Sequence, residues 1–408
     1  MSLLAFAWHN ARQLTFGVLH SFYSSPGQTY VIGLFVAAFG ATLGTGPAEI
    51  GALYLAATLA SAATLILVGH WIDHVRLVHF SAAVVLGLAF ACFVTALVSG
   101  PLTLFVALYL LRLTGQGLMI HVEATATART FDAERGQALG ITALGLPLAL
   151  VVFPPLVIAS IAAIGWRATY VWMGAVAVLA ILPVTQWLLR TFKRAPPGMA
   201  KPDGEGHKLI AGLAGLMRSR YVLTTLLPAL AIWSFHGTAI MFHIATIAAG
   251  KGWTAGVVAA SYPVMAVASV AGLLLSGQLI DRITARRLFP FVILPMLAGI
   301  ALMAASDALW ALPLAFGLMG LGFGLTTTTM NAVWAELFGV ASLGAIRSAA
   351  FMFFVFVSGL SPFVFGLTLD IGLSVSATLW WLVVFGLVFL APSLIPTHAK
   401  KRGTGRTG

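Results

Sequence analysis

The segment Gly69-His-Trp-Ile-Asp73-His-Val-Arg76 separates two long apolar stretches that carry no charge. A close variant returns as Gly277-Gln-Leu-Ile-Asp281-Arg282-Ile-Thr-Ala-Arg-Arg287, with its Asp 208 residues after the first. Each copy places Asp four residues after Gly and follows it with basic residues. A charged loop of this kind, repeated half a chain apart between uncharged apolar runs, indicates a membrane protein whose halves are related.

Composition supports the membrane reading. Of 408 residues, 60% are hydrophobic and only 8% charged, against about a quarter charged in a soluble domain. A crossing helix needs about 20 apolar residues. That length fits twelve stretches, near 15–41, 50–70, 78–99, 102–127, 138–163, 167–189, 221–248, 254–280, 288–306, 309–333, 348–369 and 373–395. The expected fold is an all-α membrane protein, twelve transmembrane helices in two pseudo-symmetric six-helix bundles. The expected domains are an N-terminal bundle (1–190), a polar Pro/Gly-rich cytoplasmic linker (191–220), a C-terminal bundle (221–396) and a basic cytoplasmic tail (397–408). No basic start with a cleavage site precedes the first helix, so an internal apolar segment is expected to target the chain. That helix is interrupted by Ser24-Ser25-Pro26-Gly27-Gln28-Thr29; alternatively residues 3–22 lie along the interface and the first crossing starts near 29.

Basic residues set the orientation. With both termini cytoplasmic, all 22 Lys and Arg fall on inner segments except Arg167 and Lys251 outside and Arg112 within a helix. The net charge of +11 is then an inside-facing signal with affinity for anionic lipid, which argues against nucleic acid as partner. The expected location is the plasma membrane, or the inner membrane of a Gram-negative cell. The lone cysteine, Cys92, excludes a disulfide within one chain. Neither a metal site nor a cofactor is expected, and the chain is expected to act as a monomer.

The chain resembles the major facilitator superfamily over its whole length. The resemblance rests on the two loop copies, on Arg112-Leu-Thr-Gly115-Gln-Gly117 in the fourth helix, and on Arg135-Gly136-Gln-Ala-Leu-Gly140 entering the fifth. It implies a secondary transporter that works by alternating access. His74 stands where the family usually has Arg, while Arg282 keeps it. Gly145-Leu-Pro147 lacks the double Gly of drug/proton antiporters, and Ser24-x-x-Gly27-Gln28 is similar to the organic-anion and monocarboxylate branch.

Charge inside a span costs at least about 2.5–3.5 kcal/mol, so it marks function or pairing. Arg112 and Glu123 are eleven residues apart, which puts them on one helix face about 16 Å apart. Gln116 and Thr127 share that stripe, which is expected to face the central cavity: Arg112 as anion anchor or proton-relay organiser, Glu123 as proton carrier. The substrate or proton pathway is expected to include Tyr23, Ser24 and Gln28 of the first helix, His236 and His243 of the seventh, and Asn331 of the tenth. Gly317–Gly324 and the Thr326–Thr329 run are expected to serve packing. Gly69, Asp73, Arg76, Gly277, Asp281 and Arg282 are expected to form a cytoplasmic gate. There the glycines admit neighbouring helices, and Asp73 and Asp281 pair with Arg76 and Arg282 between the bundles. The leading expectation is proton-coupled transport of a small organic anion. The alternatives are proton-antiport efflux of drugs and a membrane receptor or sensor.

Overall fold

The computed structural model describes residues 3–131, 133–190, 192, 212 and 214–394, with backbone alone at 3, 339–345 and 348. Most of the expected linker and the expected tail lie outside the described residues. What is described is helical, in eleven apolar segments long enough to cross a membrane. One of them, Arg135–Leu189, runs for 55 residues, more than twice the length one crossing needs. It reverses at Gly165, whose φ of 78° and ψ of 163° fall where only glycine sits without strain. Twelve crossings result. They are α1 (Ala11–Leu43), α2 (Pro47–His74), α3 (Leu77–Ala96), α4 (Pro101–Thr130), α5 (135–164), α6 (166–189), α7 (Val222–Phe242), α8 (Ala255–Ile283), α9 (Ala285–Ala305), α10 (Ala311–Phe338), α11 (Ala349–Asp370) and α12 (Val375–Leu394).

Helical backbone continues from α10 to α11, over Ala311–Asp370. Sixty straight residues would be about 90 Å long. Yet Lys251 Nζ lies 3.4 Å from the Ala304 carbonyl and 3.0 Å from Ser376 Oγ, so both ends of the run meet at one amine. The run therefore doubles back.

The helices are apolar all round, as lipid requires. On α3, Leu86, Phe90 and Phe93 are exposed at helical spacing, with Leu97 completing the row just past the helix end, while Val85, Leu88, Ala89, Cys92 and Ala96 are buried. With lipid on one side and apolar protein on the other, helix pairing depends on close packing. The Gly-rich stretch of α10 supplies it: a Cβ on Gly320 would lie 2.2 Å from the Met265 carbonyl of α8, and one on Gly324 would lie 2.0 Å from that of Ser269.

The first crossing is Ala11–Leu43, and Leu14, Phe16, His20 and Tyr23 are buried along it. The short helix Leu3–His9 precedes it, and the burial along Ala11–Tyr23 favours a crossing over the alternative that residues 3–22 lie along the interface. Its buried stripe is what draws the segment into the bundle.

The helix ends form two faces. One, here the linker face, holds the ends of α6 and α7; the other is the distal face. At the distal end of the C-terminal half, Lys251 is 6% exposed and pairs with Asp307. The Trp253 indole donates to the Asp307 carbonyl at 2.9 Å. One amine thus ties the ends of the helices before and after three loops. Lys251→Met keeps the stem and deletes the charged hydrogen bonds. It is expected to destabilise the protein by about 2 kcal/mol, read as a lower unfolding midpoint in detergent.

The two halves touch on the distal side. A Cβ on Gly366 of α11 would lie 2.5 Å from the Ala48 nitrogen of α2, and one on Gly51 would lie 2.6 Å from the Pro362 carbonyl. Farther along, a Cβ on Gly359 would be 3.1 Å from Leu55. At Gly69, near the linker face, the nearest neighbour is His121 of the same half, at 3.7 Å. Of two hydrogen bonds between the halves, Ala48 N–H to Asp370 at 3.1 Å lies at the distal end, and Tyr262 O–H to the Tyr30 carbonyl at 3.3 Å lies nearer mid-span. α2 and α11 thus meet distally and part toward the linker face.

Candidate functional site

The site begins at the break in α1. Pro26 lacks an N–H and Gly27 lacks a side chain, so the helix gives way to a single 3-10 turn at Ser25–Gly27. Freed polar groups inside a membrane need internal partners, and the local sequence supplies them. Gly27 N–H donates to the Ser24 carbonyl at 3.0 Å and Gln28 N–H to that of Ser25 at 2.9 Å. The Ser24 hydroxyl donates to the Ser21 carbonyl at 2.7 Å and receives Gln28 Nε2 at 3.0 Å. Ser24 and Gln28, expected in the transport pathway, are therefore spent on holding the turn.

The turn rests directly on α4. A Cβ on Gly27 would lie 2.0 Å from the Leu111 carbonyl, and one on Gly115 would lie 2.7 Å from Gly27 Cα. Two glycines far apart in sequence thus bring two backbones into contact beside Arg112. From Arg112 to Met119, α4 is wound in π fashion, a feature common at functional sites.

Arg112 lies about 17 Å along α4 from Pro101, near mid-span, and is 7% exposed. Its Nη1 donates to Thr29 Oγ1 at 3.3 Å, and its guanidinium carbon lies 5.0 Å from the centre of the Tyr54 ring. The hydroxyls of Tyr54 and Thr29 are 2.6 Å apart. Tyr54 also packs on Phe242 of α7, ring centres 4.5 Å apart, and so links the site to the other half. Among the described residues Arg112 has no acidic partner. Its Nε and the Oε1 of Gln116, one turn on, are buried without hydrogen bonds. A buried charge without a counter-ion is costly. An unused donor and an unused acceptor on successive turns suit a ligand that carries both a negative group and a hydrogen-bond donor.

Glu123 does not join them. It is 6% exposed and accepts from the Thr142 hydroxyl of α5. A Cβ on Gly17 of α1 would touch both Thr142 and Thr127. The intervening π segment explains the difference: each residue of an i→i+5 helix winds less than an α residue, so the stripe expected from eleven α-helical steps is rotated. Glu123 and Thr127 face into their own bundle.

The other pathway candidates are also held within single halves. The Tyr23 hydroxyl donates to the Met173 carbonyl of α6 at 2.5 Å. His236 is fully buried, its ring nitrogens 2.8 Å from the Ile232 carbonyl and 2.7 Å from that of Leu382. His243 Nε2 lies 2.8 Å from the Pro362 carbonyl, and its Nδ1 is buried without a partner. Asn331 is half-buried on α10. Trp233 and Phe323, half-buried with rings 4.7 Å apart, add an aromatic pair between α7 and α10.

The repeated loops are tied within their halves. Asp73 pairs with Arg129 at the end of α4, not with Arg76, and Arg129 Nη1 also donates to the Ile72 carbonyl at 3.1 Å. In the second half the polarity is reversed. Glu336 of α10 accepts from the backbone N–H of Ala285 at 2.8 Å and of Arg286 at 3.1 Å. Thr284 before them has φ 68°, a strained value for a β-branched residue. Asp281 and Arg282 are exposed and form no ion pair among the described residues. A Cβ on Gly277 would meet nothing within 4 Å. In this conformation, with the linker face parted, these six residues do not bridge the bundles among the described residues.

Sequence reasoning missed Thr29, Tyr54 and Phe242 around Arg112, and Arg129 and Glu336 at the loops. Tyr54 carried one usable signal, a lone phenol in an apolar crossing.

The family model described as Major Facilitator Superfamily matches residues 19–362. Among curated proteins, none matches. Among solved structures, a mutant of the nucleoside transporter NupG is similar with a TM-score of 0.74 at 13% identity, covering 93% of this chain and 98% of that one. A bacterial homolog to the human lysosomal transporter Spinster, inward-facing and unoccupied, is similar with a TM-score of 0.67 at 15% identity, covering 95% of each chain. The same homolog in its inward-facing and occupied form gives 0.66 at 16% identity, covering 95% and 96%. With that family match, and with its helices in two six-helix bundles, the chain belongs to the Major Facilitator Superfamily, a family of multi-pass membrane transporters rather than enzymes.

Proposed function

We propose that the chain carries a small organic anion across the plasma membrane by alternating access, coupled to protons, with the linker face and both termini in the cytoplasm. The observation that carries the reading is Arg112: a mid-span guanidinium, 7% exposed, with an unused Nε and no acidic partner among the described residues. An anionic substrate would neutralise it. The unused Oε1 of Gln116 would accept from a hydroxyl or amine on the same molecule. The parting of α2 and α11 toward the linker face supports a cytoplasm-open conformation. Glu123, buried in the same half, is the proton carrier in this reading.

The half-buried Trp233–Phe323 pair supports a second reading, proton-antiport efflux of an apolar organic compound. Thermal unfolding of the purified protein against a ligand panel separates the two. The panel holds hydroxycarboxylates, simple carboxylates, lipophilic cations and nucleosides, the last because of the NupG neighbour. Carboxylates should raise the unfolding midpoint of the native chain and not that of Arg112→Gln. Stabilisation by lipophilic cations alone would sink the anion reading.

Glu123→Gln keeps the hydrogen bond to Thr142 possible and removes the titratable proton. It is expected to retain substrate exchange across vesicles and to lose accumulation driven by a pH gradient. Intact gradient-driven accumulation would remove Glu123 from the proton path.

A further inference from the structure

We infer that Asp370 is a distal latch: its carboxylate, at the end of α11, caps the first turn of α2 in the opposite half and holds the distal side shut. Asp370 Oδ2 accepts from the Ala48 N–H at 3.1 Å. Ala48 follows Pro47, which opens α2, so the carboxylate sits at the positive end of that helix dipole. The approach is set by backbone. A Cβ on Gly46 would lie 2.9 Å from both carboxylate oxygens, and one on Gly366, a turn before Asp370, would lie 2.5 Å from the Ala48 nitrogen. Other carboxylates at helix ends, such as Glu336 at Ala285, cap within their own half.

The latch joins the halves only while their distal ends touch. Opening the distal side removes the Asp370 oxygen from the Ala48 N–H and leaves the first turn of α2 to water. Its loss therefore favours the distal-open state without weakening either bundle. A cap of this kind contributes about 1 kcal/mol, about a five-fold change in the ratio of states. The inference needs only that the halves move against each other; it stands or falls apart from the anion reading.

The test places spin labels on the distal rim at Ala41→Cys and Leu373→Cys in the full chain, in lipid nanodiscs. Cys92, the only native cysteine, is replaced by Ala. Asp370→Ala removes the acceptor and should raise the population at long label distance about five-fold while leaving the unfolding midpoint in place. Ala48→Pro removes the donor from the other half, at a first-turn position where proline is tolerated. It should produce the same shift, and the double variant should shift no further than either single one. An unchanged distance distribution in Asp370→Ala, or additive shifts in the double variant, would overturn the latch.

Discussion

Replacing Arg112 by Gln is expected to abolish transport while the protein still inserts and folds. Removing one partner of a desolvated charge pair costs about 2–5 kcal/mol, so apparent substrate affinity should fall on the order of 100-fold. The unfolding midpoint is the discriminating readout. Among the described residues Arg112 is buried without an acidic partner, held by a single 3.3 Å hydrogen bond and by the Tyr54 ring. Deleting an uncompensated buried charge relieves a cost, so the midpoint of Arg112→Gln should hold or rise. An arginine that served packing alone would lower it. Arg112→Lys should rescue little, because a point ammonium cannot reproduce a planar fork of donors.

The second large effect is expected at the distal seam. Gly366→Val places atoms where the α2 backbone now lies, 2.5–2.6 Å from the new Cβ position. Overpacking of this kind costs about 1–3 kcal/mol, which shifts a two-state balance roughly 5- to 150-fold. The strain exists only while the distal side is closed, so the variant should populate the distal-open state and transport slowly. Gly51→Val, across the seam against Pro362, should behave alike. Both should display greater accessibility of distal residues to a membrane-impermeant thiol reagent and unchanged expression. Native accessibility together with native transport in both variants would remove the seam from the cycle.

The fold was legible because lipid imposes few choices. Apolar length announces a crossing, Pro and Gly mark the breaks, and a repeated loop exposes the two halves. The geometry of the candidate site was legible in part. Charge rarity picked out Arg112, and the Ser-Pro-Gly break predicted an irregular α1; the structure brings these together through Gly27 and Gly115. What failed was the helical stripe, because a π segment changes the winding between Arg112 and Glu123 and nothing in residue spacing announces it. The loop pairing failed for another reason. Asp73 had a basic neighbour in sequence, Arg76, but the end of α4 delivers Arg129 closer, and only tertiary packing decides between them. The reversed polarity of the two clamps, Asp73 with Arg129 and Glu336 with a helix start, was hidden for the same reason.

The gate residues of the linker face remain a proposal for the other conformation. With the linker face parted, Asp73 is engaged inside its half and Asp281 and Arg282 are exposed, free to meet the opposite half on closure.

The most direct measurement is uptake of a labelled hydroxycarboxylate into proteoliposomes under an imposed pH gradient, with and without a protonophore. The account predicts accumulation that follows the gradient, collapses with the protonophore and is absent in Arg112→Gln. Uptake that ignores the gradient, or that Arg112→Gln sustains at the native rate, would contradict it.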